Sequence, residues 1–251
     1  MNLLRKMTLP VALSSLVIFV AMTGLAQAGT LKFYANGEDL ATEGFLAPKL
    51  TRDGWTLTFS HIFVTLSEIT AYQADPPYDA HAGGPIAATT SVALGGTHTI
   101  DLVMQADENS LVLVGETPAP AGHYNAISWK MTRAGEGMLA GYSMVLTGKA
   151  EKDGQTVNFQ LYSSEERTYH CGEFVGDERK GFLEQGGLAD LEMTFHLDHI
   201  FGRADKPVDD EMNIEALGFA PFADGAKRHV LKLDGLHIGH AGEGHCSVEW
   251  H

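Results

Sequence analysis

His196, Asp198 and His199 lie in one short run, residues 190–202, DLEMTFHLDHIFG. Neutral imidazole is the commonest transition-metal ligand, and a carboxylate adds charge neutralisation. Two His and one Asp therefore suit a divalent transition metal, Zn²⁺ first and copper next. If the run is a strand, Leu191, Met193, Phe195 and Leu197 share one face and Glu192, Thr194, His196 and Asp198 the other, because successive side chains alternate. His196 and Asp198 then stand about 7 Å apart at their Cα atoms. His199 has the opposite parity and joins them only if the strand bends or ends, which the nearby Gly202 allows. The competing reading is a His196–Asp198 pair on a solvated face.

A second concentration is LHIGHAGEGHC, residues 236–246, where His237, His240 and His245 stand among small residues that let the backbone bend and side chains converge. Read without a site, it is a His-rich tail. Cys171 and Cys246 are the two cysteines, each preceded by histidine (His170 and His245). In an exported protein such a pair predicts a disulfide; the alternative makes both thiolates ligands in a Cys₂His₂ set. A bridge would hold its Cα atoms about 4.4–6.8 Å apart and place His170 and His245 on neighbouring segments. His61 lies in TFSHIF, residues 58–63, which shares His-Ile-Phe with 199–201. It reads as a core residue or a further ligand, and the echo as a weak repeat or chance. The expected ligand set is His196, His199 and His240, with Asp198, His61 and His245 as further candidates.

All 12 histidines follow residue 28, in a chain of formal net charge −15. Such a surface repels phosphate backbones and attracts cations, which argues against a nucleic-acid partner. No Gly-x-Ser-x-Gly elbow, P-loop, dinucleotide-binding glycine pattern or His-Glu-x-x-His occurs. Three functions remain in view. The first is a metal-binding protein for handling or uptake, partnered by a metal ion and by a transporter or outer-membrane receptor. The second is a secreted adhesion-type sandwich with incidental histidines. The third is a metal-dependent hydrolase, which would need an open coordination position and a general base.

The elements that must position these residues read as strands. Residues 31–35, 55–59, 62–66, 99–103, 111–116 and 125–131 are apolar or alternating runs, with a parity shift near Ser60-His61 that predicts a bulge. Residues 142–150 and 156–162 flank Lys152-Asp153-Gly154-Gln155, a hairpin signal. Residues 75–85 form a long Pro/Gly-rich loop. A short helix is expected within 209–217, capped by the acids at 205–211, which could alternatively orient ligating histidines. The fold class is all-β, an antiparallel β-sandwich with one or two short helices and long Gly/Pro-rich loops.

Arg5 and Lys6, the uncharged apolar stretch 10–25 and Ala26-Gln27-Ala28 read as a cleavable signal peptide over residues 1–28. The apolar run is short for a membrane span, and no later stretch is long and apolar enough to be one. Residues 29–251 then form a single sandwich domain with a His-rich C-terminal portion, periplasmic or secreted, with no membrane span after cleavage. Loss of Arg5 and Lys6 takes its net charge from −15 to −17.

Leu31-Lys32-Phe33-Tyr34 followed by the pattern of residues 55–72 resembles the N-terminal part of MbnP-like proteins, periplasmic β-rich proteins associated with copper and methanobactin handling. The similarity is a strand layout without a motif, so no ligand residue carries over. It implies an exported β-sandwich near metal traffic. Segments 195–202 and 239–246 look like those of a secreted bacterial family with no activity attached.

Overall fold

The computed structural model describes residues 28–104, 111–172, 180–225, 228–242 and 244–251; apart from Ala28, the predicted signal peptide lies outside them. The elements run β1 (Gly29–Asn36), α1 (Glu38–Thr42), β2 (Thr56–Ala74), β3 (Ala88–Asp101), β4 (Val112–Ala119), β5 (Gly122–His123), β6 (Ala126–Met131), β7 (Met144–Lys152) and β8 (Gln155–Ser163). They continue with β9 (Arg167–Cys171), β10 (Phe182–Leu183), β11 (Leu188–Phe195), α2 (Asp198–Phe201), α3 (Glu211–Ile214), a 3-10 turn (Ala220–Phe222), β12 (His229–Val230), β13 (Gly239–His240) and β14 (Cys246–Trp250).

Two sheets make a β-sandwich. The smaller has the order β13-β11-β1-β4 and the larger β12-β8-β7-β2-β6-β9-β14, with β3 also on β2. Their inner faces close on one core, where Phe33, Leu57, Trp129, Tyr169, Phe195 and Phe219 are fully buried. Pairing is mostly antiparallel, as expected, except that β1–β11 and β12–β8 are parallel. The long intervening chain makes these parallel crossovers possible.

Local signals account for much of this. Asp153 and Gly154 both take positive φ, 49° and 81°, the backbone that a two-residue I′ hairpin requires between twisted strands. The β7–β8 ladder runs from Lys152↔Gln155 to Met144↔Ser163. In β2 the register against β7 shifts between Phe59 and His61, which is the bulge the parity change predicts. The expected alternation in β11 continues past its end: Leu191, Met193, Phe195 and Leu197 are all buried in the core.

The His-Ile-Phe echo is not a structural repeat. His61-Ile62-Phe63 lies within strand β2, whereas His199-Ile200-Phe201 is helical, in α2. A four-residue helix has no stability of its own in water. α2 is held by its apolar side: Ile200 and Phe201 are fully buried, and the Phe201 ring packs edge-on against Phe45 at 5.6 Å. The expected helix within 209–217 is the single turn α3, and Asp210 caps it by accepting from Met212 N–H at 3.1 Å. Asp210 and Asp205 thus act locally, Asp205 by pairing with Arg203, while Glu211 lines a cavity shared with the histidines.

Candidate metal centre

β11 ends at Phe195, and α2 begins at Asp198. This switch from strand to helical periodicity overcomes the opposite parity of His199. Potential ligand atoms of His196, Asp198 and His199 all lie within 4.8 Å of one another. The next contribution comes from β13, which pairs with the end of β11 as Thr194↔His240 and Phe195↔Gly239. The pairing continues as His196 N–H donates to the Ile238 carbonyl at 2.8 Å. β13 can sit this close because Gly239 has no side chain: a Cβ there would meet the Tyr169 ring at 2.6–2.9 Å. The His240 ring is therefore 4.6 Å from that of His196 and 5.9 Å from that of His199, centre to centre. Two imidazoles on one tetrahedral ion have ring centres about 5 Å apart, given metal–nitrogen bonds of 2.0–2.1 Å.

His237 belongs to the same group, although the sequence reading left it out of the ligand set. Its Nε2 lies 2.7 Å from the Cys246 carbonyl oxygen, and its Nδ1 lies 3.2 Å from His240 Nε2. A carbonyl can only accept, so Nε2 of His237 carries the hydrogen and Nδ1 presents a lone pair. The 3.2 Å separation is close to the ~3.3 Å between two nitrogens on one tetrahedral zinc. Glu38, also unforeseen, approaches from α1. Its Oε2 is 3.3 Å from His196 Nδ1, while His196 Nε2 is buried without a hydrogen-bond partner among the described residues. A carboxylate on one ring nitrogen and a free second nitrogen is the arrangement that orients a ligating histidine. Asp198 is 3% exposed, and its Oδ1, 3.9 Å from His196 Nδ1, has no hydrogen-bond partner among the described residues. His237 sits three residues before His240, a spacing that hints at a shared site. Nothing in the sequence pairs Glu38 with His196.

The group opens on two cavities. One of about 380 Å³ is lined by His196, His199, His237, His240 and His245 together with Glu211 and Glu215, at the two ends of α3. The other, of about 210 Å³, lies on the acidic side, with Glu38, Glu192 and Asn36 facing His196 and His240.

Burial and the neighbouring imidazoles push His240 down to about 3. Burial likewise lowers His237 and His199, the latter despite the Asp198 charge. His196 goes the other way: burial opposes its charged form, but the Glu38 hydrogen bond and the charges of Glu38 and Asp198 outweigh it. Three of the four imidazoles are thus held in the neutral form that metals require.

A pH dependence follows. A lowered folded pKa means that the unfolded chain binds more protons once pH falls below the ordinary histidine value of 6.5. The metal-free protein should lose stability progressively below that pH, by at most about 1.4 kcal/mol per pH unit for each proton of difference. His196 has the opposite sign, and its contribution fades as pH rises through its raised pKa, so it offsets part of the loss. Urea denaturation of metal-free protein at pH 7.5 and 5 checks this. Equal stability at the two values would contradict the burial of neutral imidazoles.

The remaining predicted ligands have other places. His61 does not join the group: its Nδ1 is 2.7 Å from Asp101 Oδ2 and its ring stacks on Phe63. The bulge turns it outward on β2, which removes it from the β11–β13 edge. His245 lies at the margin, its ring 5.8 Å from His240. Cys171 and Cys246 form a disulfide, so they are not thiolate ligands. The two cysteines face one another across β9–β14, which places His170 opposite Ser247, while Gly172 N–H donates to the His245 carbonyl. His170 and His245 are on neighbouring segments, as expected, but at opposite sides of the bridge. In an antiparallel ladder, residues flanking a cross-strand pair on the same side of each chain diverge along the axis.

Fold and site together define a β-sandwich carrying half-buried imidazoles around a buried carboxylate at the β11–β13 edge. Compared with protein-family models, curated proteins and solved structures, the chain finds no match. The chemistry of the site itself is what its function must be read from.

Proposed function

We propose that this is an exported metal-binding protein that holds one divalent transition ion, zinc first and copper second, among His196, Asp198, His199, His237 and His240. The observation that carries the reading is Asp198: a buried carboxylate whose Oδ1 lacks a hydrogen bond among the described residues, with donor atoms of His196 and His199 within 4.8 Å and the paired nitrogens of His237 and His240 beside them. Leaving a buried polar group unpaired costs about 1–3 kcal/mol, more for a charged one, and a bound cation removes that cost. Asp198 and Glu38 together supply the negative charge that a divalent ion needs. The donors are nitrogen and oxygen, which suit Zn²⁺ better than the thiolate and thioether sets that select Cu(I).

The role is metal handling or uptake, with delivery to or from a transporter or outer-membrane receptor. Export is read from residues 5–28 and is favoured by the disulfide, which persists in oxidising compartments. The resemblance of residues 31–34 and 55–72 to MbnP-like proteins points the same way.

Elemental analysis and Zn²⁺ titration of metal-stripped protein test the reading. The expected result is one ion per chain with an affinity tighter than micromolar. His196→Ala and His237→Ala should each weaken it by at least about tenfold, since each removes a coordinating nitrogen. Sub-stoichiometric metal and no affinity tighter than micromolar would overturn it and favour a sandwich whose histidines bind nothing.

A further inference from the structure

The imidazoles do not stop at the buried group. His245 is exposed, and its ring is 5.8 Å from that of His240. On its other side the His81 ring lies 5.0 Å away. His81 belongs to the long loop between β2 and β3, far from His245 in sequence. That loop is fastened over β14: Tyr78 Oη is 2.8 Å from Ser247 Oγ and donates to the Gly84 carbonyl at 3.0 Å. The backbone also fits closely at Gly172, where a Cβ would meet the Tyr78 carbonyl oxygen at 2.6 Å. Asp79 Oδ1 accepts from the His81 N–H at 2.9 Å, which sets the turn that carries the ring. The loop thus holds an exposed imidazole beside the C-terminal run, at the solvent end of a row that continues inward through His240 to His196.

We propose that His81 and His245 form an exposed two-imidazole acceptor site that takes up a divalent transition ion and passes it through His240 to the buried group. This rests on the metal-binding reading above. Ring centres 5.0 Å apart match two ligands on one tetrahedral ion, for which the separation is about 5 Å. With water completing its shell, an ion held by two imidazoles is weakly bound and exchanges readily. The next ring inward, His240, is close enough to replace one of them, after which the ion meets His196, His199, His237 and Asp198. Each step exchanges one nitrogen donor for another, so the ion is never stripped of ligands at once. The acidic surface raises the local cation concentration at the outer pair.

A relay of this kind speeds uptake and release equally and leaves the equilibrium affinity alone, because Kd is the ratio of the two rates. A ligand of the buried site would instead change Kd. The test uses the metal-stripped chain mixed rapidly with Zn²⁺ carried by a weak chromophoric chelator, with release followed into a strong one. His81→Ala, a change on an exposed loop, should slow both uptake and release by about tenfold and leave Kd within about twofold. His196→Ala/His199→Ala, which disables the inner site, should keep a weak zinc site that the triple variant with His81→Ala loses.

Unchanged rates in His81→Ala would overturn the proposal while leaving the metal-binding reading intact. A large rise in Kd with unaltered uptake would also overturn it, by making His81 a ligand of the buried site. Absence of zinc binding in the wild type would remove both.

Discussion

Saturating zinc should raise the melting temperature of the metal-stripped protein by about 8–16 °C. A ligand that binds only the native state stabilises it by about 4 kcal/mol at a thousandfold excess over Kd. In a domain of this size each kcal/mol moves the midpoint by about 2–4 °C. The effect should be large here because the donors are prearranged by unrelated parts of the fold. Phe201 fixes α2 and with it Asp198 and His199. The β11–β13 pairing places His240, and the Cys246 carbonyl orients His237. An ion bound there would spend little of its binding energy on ordering the site. The double substitution His196→Ala/His199→Ala should abolish the zinc-dependent rise in a thermal scan with and without chelator. A wild-type midpoint that does not move with zinc would exclude a native-state metal site.

Breaking the disulfide should cost both stability and metal. Cys171 and Cys246 are separated by 75 residues, and closing a loop of that length restricts the unfolded chain enough to contribute about 4 kcal/mol on the chain-entropy account. The consequence for the site is local. Cys246 sits at the start of β14, and its carbonyl is the acceptor that holds Nε2 of His237 and leaves Nδ1 facing His240. The same strand carries Ser247, on which the His81 loop is fastened. Without the bridge, β14 is held on β9 by its five-residue ladder at the end of the larger sheet and by the Arg167 guanidinium over the Trp250 ring. Loss of such an orienting contact typically costs about 10–100-fold in metal affinity. The double variant Cys171→Ser/Cys246→Ser, examined by urea denaturation and zinc titration, should show both losses. If stability falls while zinc affinity stays the same, the remaining β9–β14 contacts position the Cys246 carbonyl, and the coupling is wrong. Two free thiols in the unreduced, denatured protein would show that the bridge does not form in solution.

Part of the site was legible before the fold. His196, Asp198 and His199 are neighbours in the chain, and an ending strand is a local event that Gly202 announces. The hairpin at Asp153-Gly154 and the bulge near His61 were equally local, since turn chemistry and side-chain parity are short-range properties. His237 was within sight in the C-terminal run but not separable from it. Its role depends on the Cys246 carbonyl and the facing His240 ring, and histidine spacing alone does not reveal a tautomer. His61 shows the reverse. Its place in a motif-like run suggested a core residue or a ligand, yet on the β2 bulge it is exposed and faces Asp101 and Phe63.

Alternation, turn residues, cysteine count and charge determine that the chain is a β-sandwich with one bridge and an acidic surface, because each acts over a few residues or through composition. They leave open which distant segments meet. Glu38 reaches His196 because α1 follows β1, which lies beside β11 in the smaller sheet. His81 reaches His245 because its loop is pinned to β14. Such contacts come from burial of the shared core and from sheet register, which sum over the whole molecule and leave no local pattern in the chain.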